Sequence, residues 1–274
     1  MNEKDTVLIT GVSSGIGRET ARLLSERGFR VFGTVRNRPP ANSAISGVET
    51  VMMDVTDEGS VGNAVQFVLQ QTGKIHALIN NAGYALAGAL EETSIEEARQ
   101  QFDTNFFGVL RMIQAVLPTM RQQGYGRIVN ISSVAGFLPL PYRGMYAASK
   151  HALEGYTEAL DHEIRQFGIR ALLIEPAFTK TEIESHGKAA STVLDVYSKQ
   201  KQRVAESIQR QIAKGDDPRA VAEVVYRALI APSPHLRYPV GSGVGLRRLR
   251  SFVPERMFDR RFSKQFHLDE ATQR

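Results

Sequence analysis

The stretch TVLITGVSSGIGRETARLL, residues 6–24, decides the fold, because three glycines join an apolar run to a helical pattern. The first five residues are apolar and partly β-branched, as a strand buried on both faces should be. Gly11, Gly15 and Gly17 follow, and glycines permit a tight turn and a close approach of the backbone to a phosphate. The next helix, starting near Ile16, would present unpaired N–H groups and a positive dipole end to that phosphate. A turn without a ligand is the alternative, but the position after the first strand of a βαβ unit favours a dinucleotide site.

The rest of the chain continues this alternation of strands and helices. Short apolar runs predict further strands at 30–35, 50–55, 76–80, 127–132 and 169–175. Helical patterns occupy 18–27, 57–71, 94–123 and 146–167, and Ser94 and Glu97 have the spacing of a capping box. Repeated βα units imply a parallel sheet with helices on both faces. We therefore predict one α/β domain over residues 1–274, a doubly wound parallel sheet of about seven strands.

Composition excludes several classes of function. Hydrophobic residues make up 42% and charged residues 23%, which favours a packed globule over disorder. The absence of cysteine removes disulfides and thiolate catalysis, and the six histidines show no ligand-like pairing, so no metal site is predicted. The amino terminus lacks a signal-peptide pattern, and no apolar run approaches the length of a membrane span. We expect a soluble, cytoplasmic protein.

The carboxyl-terminal segment from about 235 to 274 is basic. Its core, GLRRLRSFVPERMFDRRFSKQF at 245–266, mixes arginines with Leu, Phe and Met. One interpretation is a patch for a membrane surface or a polyanion. The interpretation that we favour is one or two short helices with a solvated basic side that cover the body. No recognition-helix motif is present, so a nucleic-acid partner is not predicted.

Three motifs occur in order along the chain: T-G-x-x-x-G-x-G at 10–17, NNAG at 80–83 and YAASK at 146–150. Together they resemble the classical short-chain dehydrogenase/reductase family, over residues 5 to about 240. The stretch YPVG near Tyr238 adds a resemblance to the subgroup of 17β-hydroxysteroid and retinol dehydrogenases. The resemblance implies a Rossmann fold and hydride transfer between a nicotinamide cofactor and a carbonyl or alcohol carbon.

The family's catalytic positions match four residues of this chain. The resemblance implies that Tyr146 donates or accepts a proton, that Lys150 depresses the tyrosine pKa and bonds the nicotinamide ribose, and that Ser133 polarises the carbonyl. It also implies that Asn105 supports a water-linked proton relay, and it leaves Ser132 a structural role, bonding neighbouring backbone. The chemistry agrees, because a free tyrosine has a pKa of about 10 and a cation within about 4–6 Å lowers it by one to three units.

Cofactor type is predicted from the end of the second strand. The stretch RVFGTVRNR has no acid to bond a ribose 2′-hydroxyl; Val35 occupies the family's acid position and Arg36 follows it, with Arg38 adding charge. An arginine there accommodates a 2′-phosphate, so we predict NADP(H) rather than NAD(H). Other cofactor contacts follow only from the resemblance. The full predicted cofactor set is Gly11, Ser13, Ser14, Gly15, Ile16, Gly17, Arg36, Asp54, Val55, Asn81, Ala82, Gly83, Tyr146, Lys150, Pro176, Phe178 and Thr181. Ala177 stands where the family usually has glycine.

The substrate side is predicted less directly. The segment from about 179 to 215 is interpreted as a helical insertion that forms a substrate lid, and apolar residues predict a hydrophobic alcohol, ketone or aldehyde as substrate. The candidate pocket residues are Phe137, Leu138, Leu140, Tyr142, Phe178, Val193 and Leu194. The alternatives are an NADPH-binding redox sensor or scaffold without turnover, and a peripheral membrane protein that uses the basic segment. The family implies a homodimer or homotetramer, although Leu153, Tyr156, Leu160 and Ile164 would equally suit a face turned to the sheet.

Overall fold

The computed structural model describes residues 4–37, 44–183, 186–266 and 268. The strands are β1 (Thr6–Thr10), β2 (Arg30–Val35), β3 (Val48–Met52), β4 (Ala77–Asn80), β5 (Leu86–Ala87), β6 (Gly126–Ile131), β7 (Ile169–Pro176), β8 (Lys188–Ala189) and β9 (Arg237–Val240). The helices are α1 (Gly15–Glu26), α2 (Glu58–Thr72), α3 (Ile95–Phe102), α4 (Gly108–Gln123), α5 (Gly144–Ile164), α6 (Asp195–Ala213), α7 (Pro218–Ile230), α8 (Gly243–Phe252) and α9 (Glu255–Gln265).

Seven strands form one parallel sheet in the order β3-β2-β1-β4-β6-β7-β9, and β5 pairs with β8 in a small second sheet. The predicted parallel sheet with helices on both faces is therefore confirmed. The strand order reverses between β1 and β4, and in open α/β sheets this reversal leaves a crevice at the carboxyl ends of the strands. That crevice is the expected place for a ligand.

Each face of the sheet is covered by an apolar core, which explains the continuous apolar runs of its strands. In β1 the side chains alternate: Leu8 packs into the core shared with α2, α4 and α5, while Val7 and Ile9 pack into the core shared with α1 and α7. All three are fully buried. Leu153, Leu160 and Ile164 of α5 pack into the same core as Leu8, against the sheet.

The predicted long helix at 94–123 is interrupted. Its start is as predicted, with a capping box between Ser94 and Glu97, but a π-helical turn at Asp103–Phe107 separates α3 from α4. Wide turns of this kind insert an extra residue and often occur at functional sites. Here the turn contains Asn105, whose side chain is 1% exposed.

Two strand predictions were inexact for identifiable reasons. The strand predicted at 50–55 lies at Val48–Met52, because the Asp54 N–H donates to the Ser60 hydroxyl and the Thr56 N–H to the Asp54 carboxylate, which turns the chain. The seventh strand, β9, was not located from the sequence. It is a four-residue edge strand containing Pro239, a residue that weakens any strand pattern and that sheets tolerate at an edge.

Candidate active site

The glycine loop brings backbone against backbone at the crevice. Gly11 and Gly15 have φ of +73° and +58°, in the left-handed region that favours glycine. A Cβ at Gly17 would lie 2.2 Å from the Gly11 carbonyl oxygen and 2.3 Å from the Asn81 amide nitrogen. Ser14 is the N-cap of α1 but makes no side-chain capping bond, so its hydroxyl leaves the first N–H groups of the helix to another partner.

The NNAG turn after β4 fixes this loop. The Asn81 amide donates to the carbonyls of Thr10 and Gly11 at 3.0 and 2.8 Å, and the N–H groups of Asn81 and Ala82 donate to the Thr10 hydroxyl. The turn therefore holds the end of β1 and the glycine loop in one geometry. Asn81 and Gly83 also line the central cavity described below.

The ends of β2 and β3 place the other predicted nucleotide contacts. Arg36 follows the buried Val35 and is exposed, and no carboxylate in the described residues pairs with it. Asp54 is half-buried, and its carboxylate accepts bonds from the N–H and hydroxyl of Thr56. Val55 is buried. Arg38 lies outside the described residues.

Asn105 is fixed to the backbone that follows the NNAG turn. Its amide donates to the Tyr84 carbonyl at 2.9 Å, its carbonyl accepts the Tyr84 N–H at 3.1 Å, and Ser149 lies 3.4 Å away. A buried asparagine with these partners positions the chain around Gly83 and links the π-helical turn to α5. The structure places Asn105 close to the site, with its side-chain amide hydrogen-bonded to the Tyr84 backbone.

Tyr146 and Lys150 stand one turn apart near the start of α5, and both are buried. The Lys150 ammonium donates to the Ile131 carbonyl at 2.8 Å and lies 5.8 Å from the centre of the Tyr146 ring. Burial lowers the pKa of Lys150 to about 8, and the charge of Glu154 one turn further on opposes that change.

The two serines after β6 differ in their contacts. The Ser133 hydroxyl is half-buried and accepts the Ala135 N–H at 3.1 Å. The expectation that Ser132 bonds neighbouring backbone through its hydroxyl was wrong: within the described chain that hydroxyl has no hydrogen-bond partner. The nearby backbone groups are used by the sheet, since the Ser132 N–H itself donates to the Ile174 carbonyl.

A buried ionic cluster that the sequence analysis missed lies behind Lys150. Glu175, at the end of β7, is fully buried and is bonded by Arg247 of α8 at 2.5 Å, while Arg237 of β9 lies 3.1 Å from Glu154 and 3.7 Å from Glu175. Burial and the charge of Glu154 raise the pKa of Glu175 to about 8, against the opposing charges of the arginines. The spacing of Lys150 and Glu154 at i and i+4 was the available signal.

One cavity contains most of the predicted chemistry. Ser133, Tyr146 and Lys150 line it together with the glycine-loop residue Ile16 and residues at and beyond the end of β7. Among the latter are Pro176, Ala177, Phe178 and Thr181, and the Thr181 side chain lies 3.4 Å from a Cβ built at Gly15, so this loop reaches the start of α1. The cavity thus joins the predicted nucleotide end to the predicted catalytic side chains.

The apolar wall of the cavity was only partly predicted. Leu138, Leu140 and Phe178 line it, but Phe137, Tyr142, Val193 and Leu194 do not. Phe137 packs under α8 instead, the Tyr142 hydroxyl donates to Gln200, and Val193 is exposed. The apolar lining residues that sequence reasoning missed are Ala85, Ile131, Val134, Ala135, Pro139, Ile183, Ile208, Ile212, Leu246, Phe262 and Phe266. Several come from α6, α8 and α9, and periodicity alone does not say which cavity a helix faces.

The segment predicted as a lid is fastened at one side. In α6, Lys201 forms an ion pair with the buried Glu92 at 2.6 Å, and the Leu194 N–H donates to the same carboxylate at 2.9 Å. The hydrogen bond from Lys201, which has the largest effect, and the bond from the Leu194 N–H lower the pKa of Glu92 to about 2. The other side of α6 packs its Ile208 against Phe266, next to the cavity. α6 thus forms one wall of the cavity.

Comparison with known proteins identifies the class to which this fold and site belong. Residues 5–191 match the short chain dehydrogenase family. The chain belongs to this family of oxidoreductases. The narrower subgroup of 17β-hydroxysteroid and retinol dehydrogenases stays a prediction.

Two curated relatives narrow the comparison. The chain is 38% identical over 255 residues to a 3-ketodihydrosphingosine reductase of Bacteroides thetaiotaomicron, covering 92% of this chain and 94% of the relative. It is 32% identical over 274 residues to an NADPH-dependent 3-dehydrocapnine reductase of Ornithobacterium rhinotracheale, covering 94% and 95%.

Solved structures agree on the fold and include both cofactors. A short-chain dehydrogenase from Streptomyces avermitilis matches with a TM-score of 0.80 and 32% identity, covering 96% of this chain and all of that one. ElxO with NADP bound matches at 0.74 and 26%, covering 88% and 99%. A family member from Burkholderia phymatum in complex with NAD matches at 0.77 and 27%, covering 91% and 92%. A nicotinamide cofactor is therefore supported, and the choice between NADP and NAD falls to this chain's own residues.

Proposed function

We propose that this protein is an NADP(H)-dependent reductase of long-chain carbonyl compounds, with Tyr146 as the general acid. One observation carries the proposal: Tyr146, Lys150 and Ser133 line the same cavity as a wall of aliphatic and aromatic side chains. A polar reaction centre in a largely apolar cleft suits a substrate with one reactive oxygen on a hydrophobic body.

Arg36 supports NADP(H). It is exposed beyond β2, where a ribose 2′-phosphate would lie, and neighbouring described residues offer no competing carboxylate. A guanidinium bonds phosphate with two parallel hydrogen bonds, whereas it has no matching acceptor to offer a ribose hydroxyl. The glycine loop, in which added methyl groups would collide, fits a pyrophosphate close to the backbone. The remaining predicted contacts, from Ser13 to Thr181, keep the roles given by the family.

The proposed roles of the catalytic residues follow from their positions. When bound, NADPH would supply the hydride that the carbonyl carbon receives. Tyr146 gives its phenolic proton to the carbonyl oxygen, and Ser133 donates a hydrogen bond to the same oxygen. The Lys150 ammonium stabilises the phenolate that Tyr146 becomes. Asn105 holds the Tyr84 backbone in place beside the path by which a proton returns to Tyr146.

The substrate class is narrowed by the relatives and the lining. Both curated relatives are named as reductases, one of 3-ketodihydrosphingosine and one of 3-dehydrocapnine, and the second is named NADPH-dependent. The described lining includes Arg143 and Lys150 but no carboxylate, so an uncharged or anionic head group fits it better than a buried ammonium. We therefore assign a long-chain 3-ketone whose neighbouring amine is neutral or absent.

A substrate panel tests this function. We expect NADPH oxidation with a long-chain 3-ketone lacking the amine and with 3-ketodihydrosphingosine whose amine is neutral, and a much lower kcat/KM with a water-soluble short-chain ketone. NADH should be the poorer donor in each case. No substrate-dependent oxidation with either long-chain ketone, or equal kcat/KM for long and short ketones, would contradict the proposal.

The other predictions remain proposals. A redox sensor or scaffold would bind NADPH in a separate titration and would oxidise it with none of the ketones of this panel. For assembly we keep the homodimer or homotetramer implied by the family; Leu153, Leu160 and Ile164 do not contribute to it, because they pack against the sheet. A cytoplasmic location is likewise proposed. In the described part of the chain, no helix combines the length and apolar character that crossing a bilayer requires.

A further inference from the structure

α8 and α9 have an inner face that closes the cavity. Leu246 of α8 and Phe262 of α9 line the cavity, and Leu249 and Phe258 pack in the adjoining cluster with Leu138. Arg247 ties α8 to the buried Glu175. The predicted short helices that cover the body are confirmed, and they lie directly over the predicted substrate space.

The outer face of the same two helices is apolar and basic. Val244, Arg248 and Phe252 follow one another at helical spacing along α8, and all three are exposed. Phe252, at the end of α8, is 85% exposed, and Met257, in the first turn of α9, is 63% exposed. Two large apolar side chains therefore project beside the connection between the helices, where folding gains nothing from them.

Six exposed cations lie on the same two helices as these apolar side chains, and one of them, Arg250, lies over the Phe258 ring. The exposed basic residues of the two helices are Arg248, Arg250, Arg256, Arg260, Arg261 and Lys264. Within the described residues none of the six forms an ion pair. The segment 243–266 has seven basic residues and two acidic ones, so it accounts for the whole net charge of +5.

Charge complementarity selects the partner. Interleaved arginines and exposed Phe and Met are the pattern of a helix that lies in a membrane interface, where cations meet anionic headgroups and apolar side chains enter the acyl boundary. A purely electrostatic partner such as a nucleic acid would leave Phe252 and Met257 exposed. We propose that the outer face of α8 and α9 docks onto an anionic lipid bilayer, so that the helices closing the cavity also lie against the membrane.

Docking has a consequence for substrate entry. A long-chain ketone partitions into a bilayer, and the cavity wall formed by α8 and α9 is then the part of the protein nearest to it. This second step rests on the proposed function, whereas docking itself does not. The two are tested separately.

Vesicle sedimentation of the full chain tests docking without any substrate. We expect binding to vesicles of phosphatidylcholine and phosphatidylglycerol at 3:1, weaker binding at high salt, and little binding to phosphatidylcholine alone. The double variant F252S/M257S should bind the anionic vesicles about tenfold more weakly or worse. The matched control V196S changes a residue of α6 that is 82% exposed and should bind like the parent protein.

Several outcomes would overturn docking: no binding by the parent protein, equal binding to both vesicle types, or equal loss in V196S. Unchanged vesicle binding by F252S/M257S with a lower oligomeric mass in light scattering would instead make this face a contact between copies. NADPH binding by each variant shows that it is folded. Because sedimentation requires no turnover, it can succeed when the panel of ketones fails.

Kinetics test the entry step. With a long-chain ketone presented in anionic vesicles, F252S/M257S should raise the apparent KM several-fold, while kcat/KM for a short soluble ketone stays that of the parent protein. An unchanged KM for the vesicle-bound ketone would separate docking from substrate entry and overturn the second step.

Discussion

The nucleotide half and the substrate half of the site are formed by different parts of the chain, the first by backbone and the second by side chains. The nucleotide half, from the glycine loop to the NNAG turn, is backbone packed on backbone, held by hydrogen bonds of the Asn81 amide and the Thr10 hydroxyl. The substrate half is made of side chains from α6, α8 and α9, which meet only in the folded chain. An added methyl group should therefore disturb binding in the first half. In the second half, binding should depend on the volume and polarity of the side chains.

The largest effect on stability is expected from a methyl group in the nucleotide half. In Gly17→Ala the new Cβ would collide with the Gly11 carbonyl and the Asn81 amide, at 2.2 and 2.3 Å. Overpacking of this kind lowers the free energy of unfolding by about 1–3 kcal/mol, and we expect NADPH affinity to fall by at least tenfold. Calorimetric titration and thermal unfolding measure both.

Gly62→Ala is the matched control for that change. Gly62 lies inside α2, and a Cβ there would meet nothing within 4 Å. We expect unfolding free energy to rise by about 0.5–1 kcal/mol and NADPH affinity to stay constant. Equal effects of the two substitutions would show that the glycine loop is not a backbone cradle.

The second prediction concerns cofactor choice. Arg36→Asp removes the proposed phosphate partner and adds a carboxylate for a ribose hydroxyl, so the ratio of kcat/KM for NADPH over NADH should fall by about 10–100-fold. Arg219→Asp makes the same charge change at an exposed arginine of α7 that pairs with Glu26. A ratio that is unchanged in Arg36→Asp, or equally changed in both variants, would remove Arg36 from the nucleotide site.

The third prediction concerns the apolar wall in the substrate half of the site. Ile212→Ser places a hydroxyl in the apolar wall, so kcat/KM for a long-chain ketone should fall by about tenfold. The values for a short ketone and the affinity for NADPH should not change. Ile230→Ser, at an exposed apolar residue at the end of α7, is the control. Equal losses for long and short ketones in Ile212→Ser would place Ile212 outside the chain-binding wall.

The smallest expected effect is a shift in a pH profile. In the cofactor-free protein Lys150 has a pKa of about 8, so kcat/KM for NADPH should decline as pH rises through that value and the ammonium is lost. The ordinary pKa of lysine is about 10.4, so between about pH 8 and 10 this lysine is protonated in the unfolded chain and largely deprotonated in the folded protein. The free energy of unfolding should therefore rise with pH over that range. Titration of both quantities checks the sign.

Glu154 offers a matched test of that profile. Its charge raises the pKa of Lys150, so Glu154→Gln should move the alkaline decline to lower pH. Glu158→Gln removes the other carboxylate that pairs with Arg237, at the surface, and should leave the decline in place. If Glu158→Gln moved it equally, the effect would belong to Arg237 and not to Lys150.

The comparison also explains what the sequence could predict. The glycine loop, the NNAG turn and the helix cap at Ser94 were predictable, because a local backbone geometry demands particular residues at fixed spacing. The cavity wall was not, since Phe262 and Phe266 form one stripe of a basic helix and only tertiary packing decides what the stripe faces. The surroundings of Ser132 and of the Glu154–Glu175 pair could not be predicted from the sequence for a related reason, because three separate elements form them.

The central claim is that the Tyr146 phenol transfers the proton beside a bound nicotinamide. Its most direct test compares Tyr146→Phe with Tyr156→Phe, a half-buried tyrosine of the same helix that packs on Phe106. The measured quantities are kcat for NADPH-dependent reduction of a long-chain ketone and the Kd for NADPH. The account predicts that Tyr146→Phe lowers kcat by about 10²–10⁴-fold with little change in Kd, while Tyr156→Phe changes neither. A Tyr146→Phe enzyme that keeps its kcat would contradict the claim.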